Sequence, residues 1–206
     1  MNALLERIDT KFDEAFDEAD VWIRIVGADW MADDLRLNLS VKFNDGLEAE
    51  LWEVTCEGVV EKALSSDGTD VLILTTDSPL LKPYVEEEIE LMFSENSLTP
   101  EFLLGVVCSC CIEVMGKSGY IQRFMNLRPT VHGIVSSAYG LLGRFPDAVA
   151  KRILTALKEQ PIRVSALPGR MPKRWTGSEF VSYPALSALE IGESYVLAER
   201  FSASRV

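Results

Sequence analysis

The sequence predicts an α+β fold: a mainly antiparallel sheet from the N-terminal half, a cluster of about three helices from the C-terminal half, and an amphipathic helix at the N-terminus. Two observations predict this class. Through much of the first hundred residues apolar and polar side chains alternate, which is the period of a half-buried strand. Between about residues 100 and 160 apolar side chains recur every three or four positions, which is the period of an amphipathic helix.

The N-terminal segment has the pattern of an amphipathic helix with an acidic outer face. Its apolar residues at helical spacing are Leu4, Leu5, Ile8, Phe12, Ala15, Phe16 and Ala19. A strand is predicted over residues 20–30, with Ile23 and Ile25 on one face and Trp22 on the other. The clearest alternation follows, from Leu35 to Phe43, so one face of this second strand is expected to be buried.

Turn residues separate the remaining strands of the first half. Asn44-Asp45-Gly46 predicts a tight hairpin turn, and its partner strand is predicted from Leu47 to about Val60. Ser65-Ser66-Asp67-Gly68 predicts a second turn before Val71–Leu74, a short apolar strand that we expect to be central in the sheet. Residues 88–93 alternate again and predict another strand.

Helix signals begin at Thr99, which can cap a helix, and Pro100, which suits the first turn. Helices are therefore predicted at about 100–115, 130–142 and 146–159.

After these helices, prolines and glycines predict that residues 161–184 are mainly loop. Strand-like segments at 188–191 and 195–201 are expected to return to the sheet. The length of 206 residues fits a single domain. Within it we distinguish three parts. Residues 1–98 are acidic and rich in strands, residues 99–160 are helical, and residues 161–206 contain a loop and the terminal strands.

Charge is divided unevenly along the chain. Residues 1–100 carry 24 acidic and 7 basic side chains, a net charge of −17, whereas residues 101–206 carry 8 and 13, a net charge of +5. Such an imbalance bears on partners and association rates rather than on the fold. It favours a basic protein partner and argues against nucleic acid, since the whole chain repels polyanions. The basic loop from Arg163 to Trp175 is expected to contact the acidic half or to be solvated.

Aromatic residues lie beside acidic ones in the first half, a combination typical of protein-interface hot spots. We predict a partner-binding surface from this cluster and from a second acidic run further along the chain; its residues are Trp22, Asp29, Trp30, Asp33, Asp34, Glu86, Glu87 and Glu88. A solvated acidic face is the alternative interpretation.

The sequence contains no motif that specifies a reaction. Cys108, Cys110 and Cys111 lie in an apolar stretch, which should keep their thiols protonated, so they are expected to be reduced core residues, as is Cys56. His132, the single histidine, is expected to be structural or at the surface. We therefore predict no catalytic residue, no metal site and no cofactor.

The sequence also bears on location. The first residues lack the basic start and apolar core of a secretory signal, and the most apolar tract, Phe102–Val114, is shorter than the roughly 20 residues of a bilayer span. A cytoplasmic protein without membrane contact is expected.

The order of elements resembles small cytoplasmic immunity proteins of bacterial toxin systems. The resemblance lies in the acidic first helix, the meander containing Leu51-Trp52-Glu53-Val54, the turn at Asp77-Ser78-Pro79-Leu80-Leu81 and the helices from Pro100 to Gln160. It covers about the middle half of the chain and carries no residue role over to it. It implies a stoichiometric inhibitor that neutralises a toxin by occluding it.

Two other functions stay open. One is an enzyme that acts on a small metabolite with two carboxylates converging in a cleft. The other is a non-catalytic adaptor or assembly subunit, whose apolar surface would be completed by association. Of these functions, protein inhibition is the first hypothesis, because an acidic surface with aromatic anchors can associate rapidly with a basic partner.

Overall fold

A computed structural model gives the structure of the protein; it describes residues 1–14, 21–32, 34–43, 48–116 and 121–206. The helices in these ranges, numbered in chain order, are α1 (Asn2–Glu14), α2 (Lys82–Val85), α3 (Pro100–Met115), α4 (Ile121–Phe124), α5 (Leu127–Ser136) and α6 (Asp147–Leu157). The strands are β1 (Val21–Met31), β2 (Asp34–Phe43), β3 (Glu50–Glu57), β4 (Glu61–Ala63), β5 (Leu72–Thr75), β6 (Glu88–Ser94), β7 (Tyr139–Pro146), β8 (Arg163–Ala166), β9 (Lys173–Trp175), β10 (Phe180–Ser182), β11 (Ser187–Ile191), β12 (Ser194–Ala198) and β13 (Arg200–Arg205).

The chain divides into two compact units. The first contains Met1–Leu81 and Pro184–Val206, and the second is the continuous stretch Lys82–Tyr183. The first unit carries 22 acidic and 8 basic residues, a net charge of −14, and the second carries 10 and 12, a net charge of +2. These boundaries differ from those predicted at residues 98 and 160, and the single-domain organisation stays a prediction.

Two four-stranded antiparallel sheets build the first unit, in the orders β1-β2-β3-β13 and β4-β12-β11-β5. The chain passes from one sheet to the other at Gly58, between β3 and β4, and at Glu199, between β12 and β13. Gly58 has a φ of +64°, and a side chain there would collide with Glu199, so this bend requires glycine. Ile23 and Thr69 exchange two backbone hydrogen bonds of 2.7 and 2.9 Å, which connect β1 to the segment before β5.

A single apolar core fills the first unit. The inward positions of β2 and β3 alternate as the sequence predicts, and α1, β11 and β12 contribute the remaining side chains. Its fully buried members include Leu4, Ile23, Leu35, Leu37, Leu39, Val41, Val54, Cys56, Leu189 and Ala198. Each large apolar side chain in such a core stabilises the fold by about 1.5–3 kcal/mol relative to exposure.

A buried carboxylate connects α1 to the sheet. Glu50, at the start of β3, is only 7 % exposed. Its Oε1 accepts hydrogen bonds from Arg7 Nε and Nη2, at 3.1 and 2.7 Å, and lies 3.3 Å from Nη1 of Arg205. Its Oε2 accepts a hydrogen bond of 3.1 Å from Trp52 Nε1. The Arg7 hydrogen bonds are the main reason that the pKa of Glu50 is lower than its ordinary value.

The second unit is built on a three-stranded antiparallel sheet in the order β7-β6-β8, with a separate hairpin of β9 and β10. Helix α6 contacts all three strands and α3, while α4 and α5 contact β7. Its core side chains come from these elements; the fully buried ones include Leu91, Leu103, Val107, Cys111, Leu142, Phe145, Val149 and Ile153.

The α+β class, the mainly antiparallel sheets and the N-terminal helix are confirmed. Helices predicted at 100–115 and 146–159 are also confirmed, as α3 and α6, and Thr99 accepts the expected capping hydrogen bond from Phe102 N. The terminal strand β13 returns to the first sheet by pairing with β3. The predicted turn at Asn44-Asp45-Gly46 lies outside the described residues.

Two details of the prediction were wrong. The strand at Val71–Leu74 is not central: β5 is an edge strand that pairs with β11. The helix predicted over 130–142 ends at Ser136, and β7 begins at Tyr139, because a short apolar run is compatible with either structure. The segment 161–184 is mainly loop, as predicted, although ten of its 24 residues form the short strands β8, β9 and β10.

Within the described ranges, every helix is either too short or too polar to cross a membrane.

Candidate protein-binding surface

Strand β1 is the edge of its sheet, and β2 is its single neighbour there. In an antiparallel pair, successive residues direct their backbone groups alternately toward and away from the partner strand. Ile23 bonds to Thr69 on the side away from β2, so Ile25 also faces that side. Past the bulge that follows Ile25, the same alternation applies to Ala28 and Trp30. Among the described residues, nothing pairs with this edge beyond Ile23, so it can accept an added strand.

Large apolar side chains are exposed along this edge strand. Four of them are each between 52 and 54 % exposed: Trp22, Val26, Trp30 and Met31. Two neighbouring cations are held near β1: Arg24 Nε donates to the Ser66 carbonyl at 2.9 Å, and Lys62 Nζ lies 5.7 Å from the centre of the Trp30 ring. Large exposed apolar side chains on an unpaired strand edge are a feature that a binding partner can cover.

The bulge in β1 decides which predicted site residues share a face. Before it, Trp22 pairs with Lys42 on the outer face of the sheet. After it, Asp29 pairs with Arg36, which also faces outward because its neighbours Leu35 and Leu37 are buried. Trp22 and Asp29 therefore lie on one face of the sheet.

Trp30 lies on the opposite side, because its partner Leu35 points into the core. Asp34 begins β2 opposite Met31 and is partly buried. Asp33 lies outside the described residues. Of the first predicted cluster, the structure thus brings Trp22 and Asp29 to one face and directs Trp30 to the other.

The remaining predicted residues belong to the second unit. Glu86 has structural partners: its Oε1 lies 2.7 Å from Lys82 Nζ, and its Oε2 accepts a hydrogen bond of 2.9 Å from the backbone N–H of Ala148 at the start of α6. A carboxylate at the N-terminus of a helix also interacts favourably with the helix dipole. Glu87 and Glu88 are exposed. Because Glu86, Glu87 and Glu88 belong to the second unit, the predicted set of site residues is divided between the two units.

Three of the four cysteines, Cys56, Cys110 and Cys111, are buried as predicted, whereas Cys108 is half-buried. Burial raises the pKa of Cys56 and of Cys111 to about 12, and it also raises the pKa of Cys110. Thiols held in the protonated form are poor nucleophiles. His132 lies exposed on α5, and in the described ranges no three potential metal-ligating side chains come together.

This burial predicts selective thiol chemistry. In the native protein at pH 8, we expect iodoacetamide to alkylate the half-buried Cys108 before Cys56, Cys110 and Cys111. Mass spectrometry of timed samples measures the order, and the denatured protein, in which all four should react, is the control. Alkylation of Cys56 as fast as Cys108 would contradict the burial argument.

The second unit also contains a cavity that no sequence pattern indicates. Its volume is about 1210 Å³, and its lining includes Arg123, Arg128 and Arg144. These arginines are isolated in the sequence and come from α4, α5 and β7, so no local pattern connects them.

No model of a known protein family matches the chain, and neither does any curated protein or solved structure.

Proposed function

We propose that the chain is an acidic protein-binding module, a stoichiometric immunity-type inhibitor that occludes a basic toxin acting in the cytoplasm. The supporting observation is strand β1: an open sheet edge with four exposed apolar side chains, in a unit whose net charge is −14. We infer that an extended, basic segment of the partner adds to this edge as a further strand.

The two parts of this surface have separate roles in the proposed complex. Backbone hydrogen bonds along the edge supply affinity for any extended chain, and the side chains along it supply specificity. Burial of Val26, Trp30 and Met31 would provide apolar contact. The acidic unit accelerates the encounter with a basic protein, because electrostatic steering acts mainly on the association rate.

Carboxylate chemistry has less support. The smaller of two adjoining cavities in the second unit, about 190 Å³, is lined by Glu86 and Glu88. Glu86 is already paired with Lys82 and the Ala148 N–H, so it is not available as a free acid or base. In this cavity the described residues therefore do not supply the pair of free carboxylates that the enzyme alternative needs.

The test compares edge variants in partner capture and in direct binding. Proteins retained by the immobilised wild type, and released by salt, are identified and purified, and their affinities are measured by calorimetry. For the cognate partner, Val26→Lys is expected to weaken binding by about tenfold or more. The lysine places a charge among the exposed apolar side chains of β1, and this charge repels a basic segment. Val135→Lys makes the same change at an exposed valine of α5 and is expected to leave the affinity unchanged.

Two results would contradict the proposal. One is an affinity for the partner that does not depend on ionic strength, and the other is that the partner binds Val26→Lys as tightly as it binds the wild type. The first result would mean that the acidic charge of the first unit does not drive binding, and the second that the edge of β1 is not the binding surface.

A further inference from the structure

The cavity of the second unit lies where α4 and α5 pass over strand β7. Its volume, about 1210 Å³, exceeds the 300–1,000 Å³ that is typical for small-molecule sites. The apolar part of its lining includes the buried Phe124 and Met125 and the more exposed Leu141. Such a surface can contact the organic part of a ligand.

Three guanidinium groups line the same cavity. Arg144 Nε is paired with Glu90 Oε1 at 2.8 Å. Arg123 Nη2 donates to the Tyr84 hydroxyl at 2.9 Å, and its guanidinium lies 5.6 Å from the centre of that ring. These contacts orient two of the three arginines.

Arg128 differs from the other two arginines. It is exposed at the start of α5, and in the part of the chain that the structure describes it forms no ion pair. Among the described residues that line the cavity, Glu88 is the one carboxylate. Three arginines therefore stand against Glu88 in the lining and Glu90 beside it, which leaves a net positive charge, and Arg128 is available to bind a ligand.

We propose that this cavity binds a small organic phosphate. The planar guanidinium group matches the oxygens of a phosphate with two parallel hydrogen bonds, and several arginines can share one phosphate group. Glu88 can accept a hydrogen bond from a ligand hydroxyl, a group that sugar phosphates and nucleotides carry. This inference is independent of the protein-binding function, since it concerns residues of the second unit alone.

Gly133 provides a steric test, because it lines the cavity and no atom lies within 4 Å of the position that its Cβ would occupy. Gly133→Trp should fill part of the cavity without changing its charge, whereas Gly133→Ala adds one methyl group to the same position. Arg128→Ala tests the charge, and Arg163→Ala is its matched control: Arg163 is exposed and does not line the cavity.

The probes are ADP and inorganic pyrophosphate, each titrated into the full-length protein by calorimetry. Saturable binding of ADP is expected, about tenfold weaker in Arg128→Ala and in Gly133→Trp, and unchanged in Arg163→Ala. Circular dichroism confirms that each variant is folded. The proposal is overturned if neither probe binds at about 10 mM, or if binding by Arg128→Ala equals that by Arg163→Ala.

Discussion

Replacing Glu50 by alanine is expected to lower the free energy of unfolding by about 2–4 kcal/mol. The carboxylate is buried and accepts hydrogen bonds from Arg7 and Trp52, with Arg205 close by. Its loss leaves the buried Trp52 N–H without a partner and removes the link between α1 and β3. Urea denaturation followed by circular dichroism measures the change.

Glu53→Ala is the matched control, on the same strand. Glu53 pairs with Arg36 at 3.2 Å, but both side chains are more exposed than Glu50. Exposed ion pairs contribute about 0–1 kcal/mol, so this variant should lose little stability. If Glu50→Ala is no less stable than Glu53→Ala, the buried cluster does not stabilise the fold.

Glu50 is also expected to make the stability of the protein depend on pH. The pKa of Glu50 is lowered from its ordinary value of 4.5 in the folded protein, chiefly by the Arg7 hydrogen bonds. A carboxyl group with a lowered folded-state pKa stabilises the protein above its unfolded-state pKa, and this stabilisation is lost as the pH falls through the folded-state value. The stability difference between wild type and Glu50→Gln should therefore shrink from about pH 5 downwards.

Gly143→Ala is expected to destabilise the second unit by about 2–3 kcal/mol. An added Cβ would lie 2.6 Å from a ring carbon of Phe145 and 2.8 Å from the backbone oxygen of Phe124. Phe145 is fully buried, and the Phe124 oxygen is part of the main chain, so neither can move away freely. Thermal and urea unfolding measure the loss.

Gly133→Ala is the corresponding control for this substitution. Gly133 lies inside α5 with open space around its Cβ position, so alanine should stabilise the helix by up to about 1 kcal/mol. Equal stability of the two alanine variants would contradict the packing argument at Gly143.

The sequence predicted the regular elements best where the periodicity was long. Residues 35–43 alternate without interruption, and their burial follows that pattern residue by residue. The short strands β8, β9 and β10 were missed because three or four residues carry too little pattern to oppose nearby prolines and glycines. The edge position of β5 could not be inferred either, since it depends on pairing with β11, which lies more than a hundred residues later in the chain.

The candidate surface was predicted only in part. The sequence indicated exposed tryptophans at positions 22 and 30, and both are about half exposed. It could not show that they lie on opposite sides of the sheet, because a bulge at Val26 shifts the alternation by one residue. The cavity of the second unit could not be predicted from a local sequence pattern, because its lining is assembled by tertiary contacts of α4 and α5 with β7.

The first unit draws its strands from both ends of the chain, and this has a consequence for protein synthesis. Glu57 of β3 and Arg200 of β13 form an ion pair although they are 143 positions apart. The ribosome makes the whole second unit before β11, β12 and β13 emerge, and synthesis of that unit takes roughly 5–20 s at ordinary elongation rates. During that interval the edge of β3 that later pairs with β13 has no partner, and the second unit can fold first.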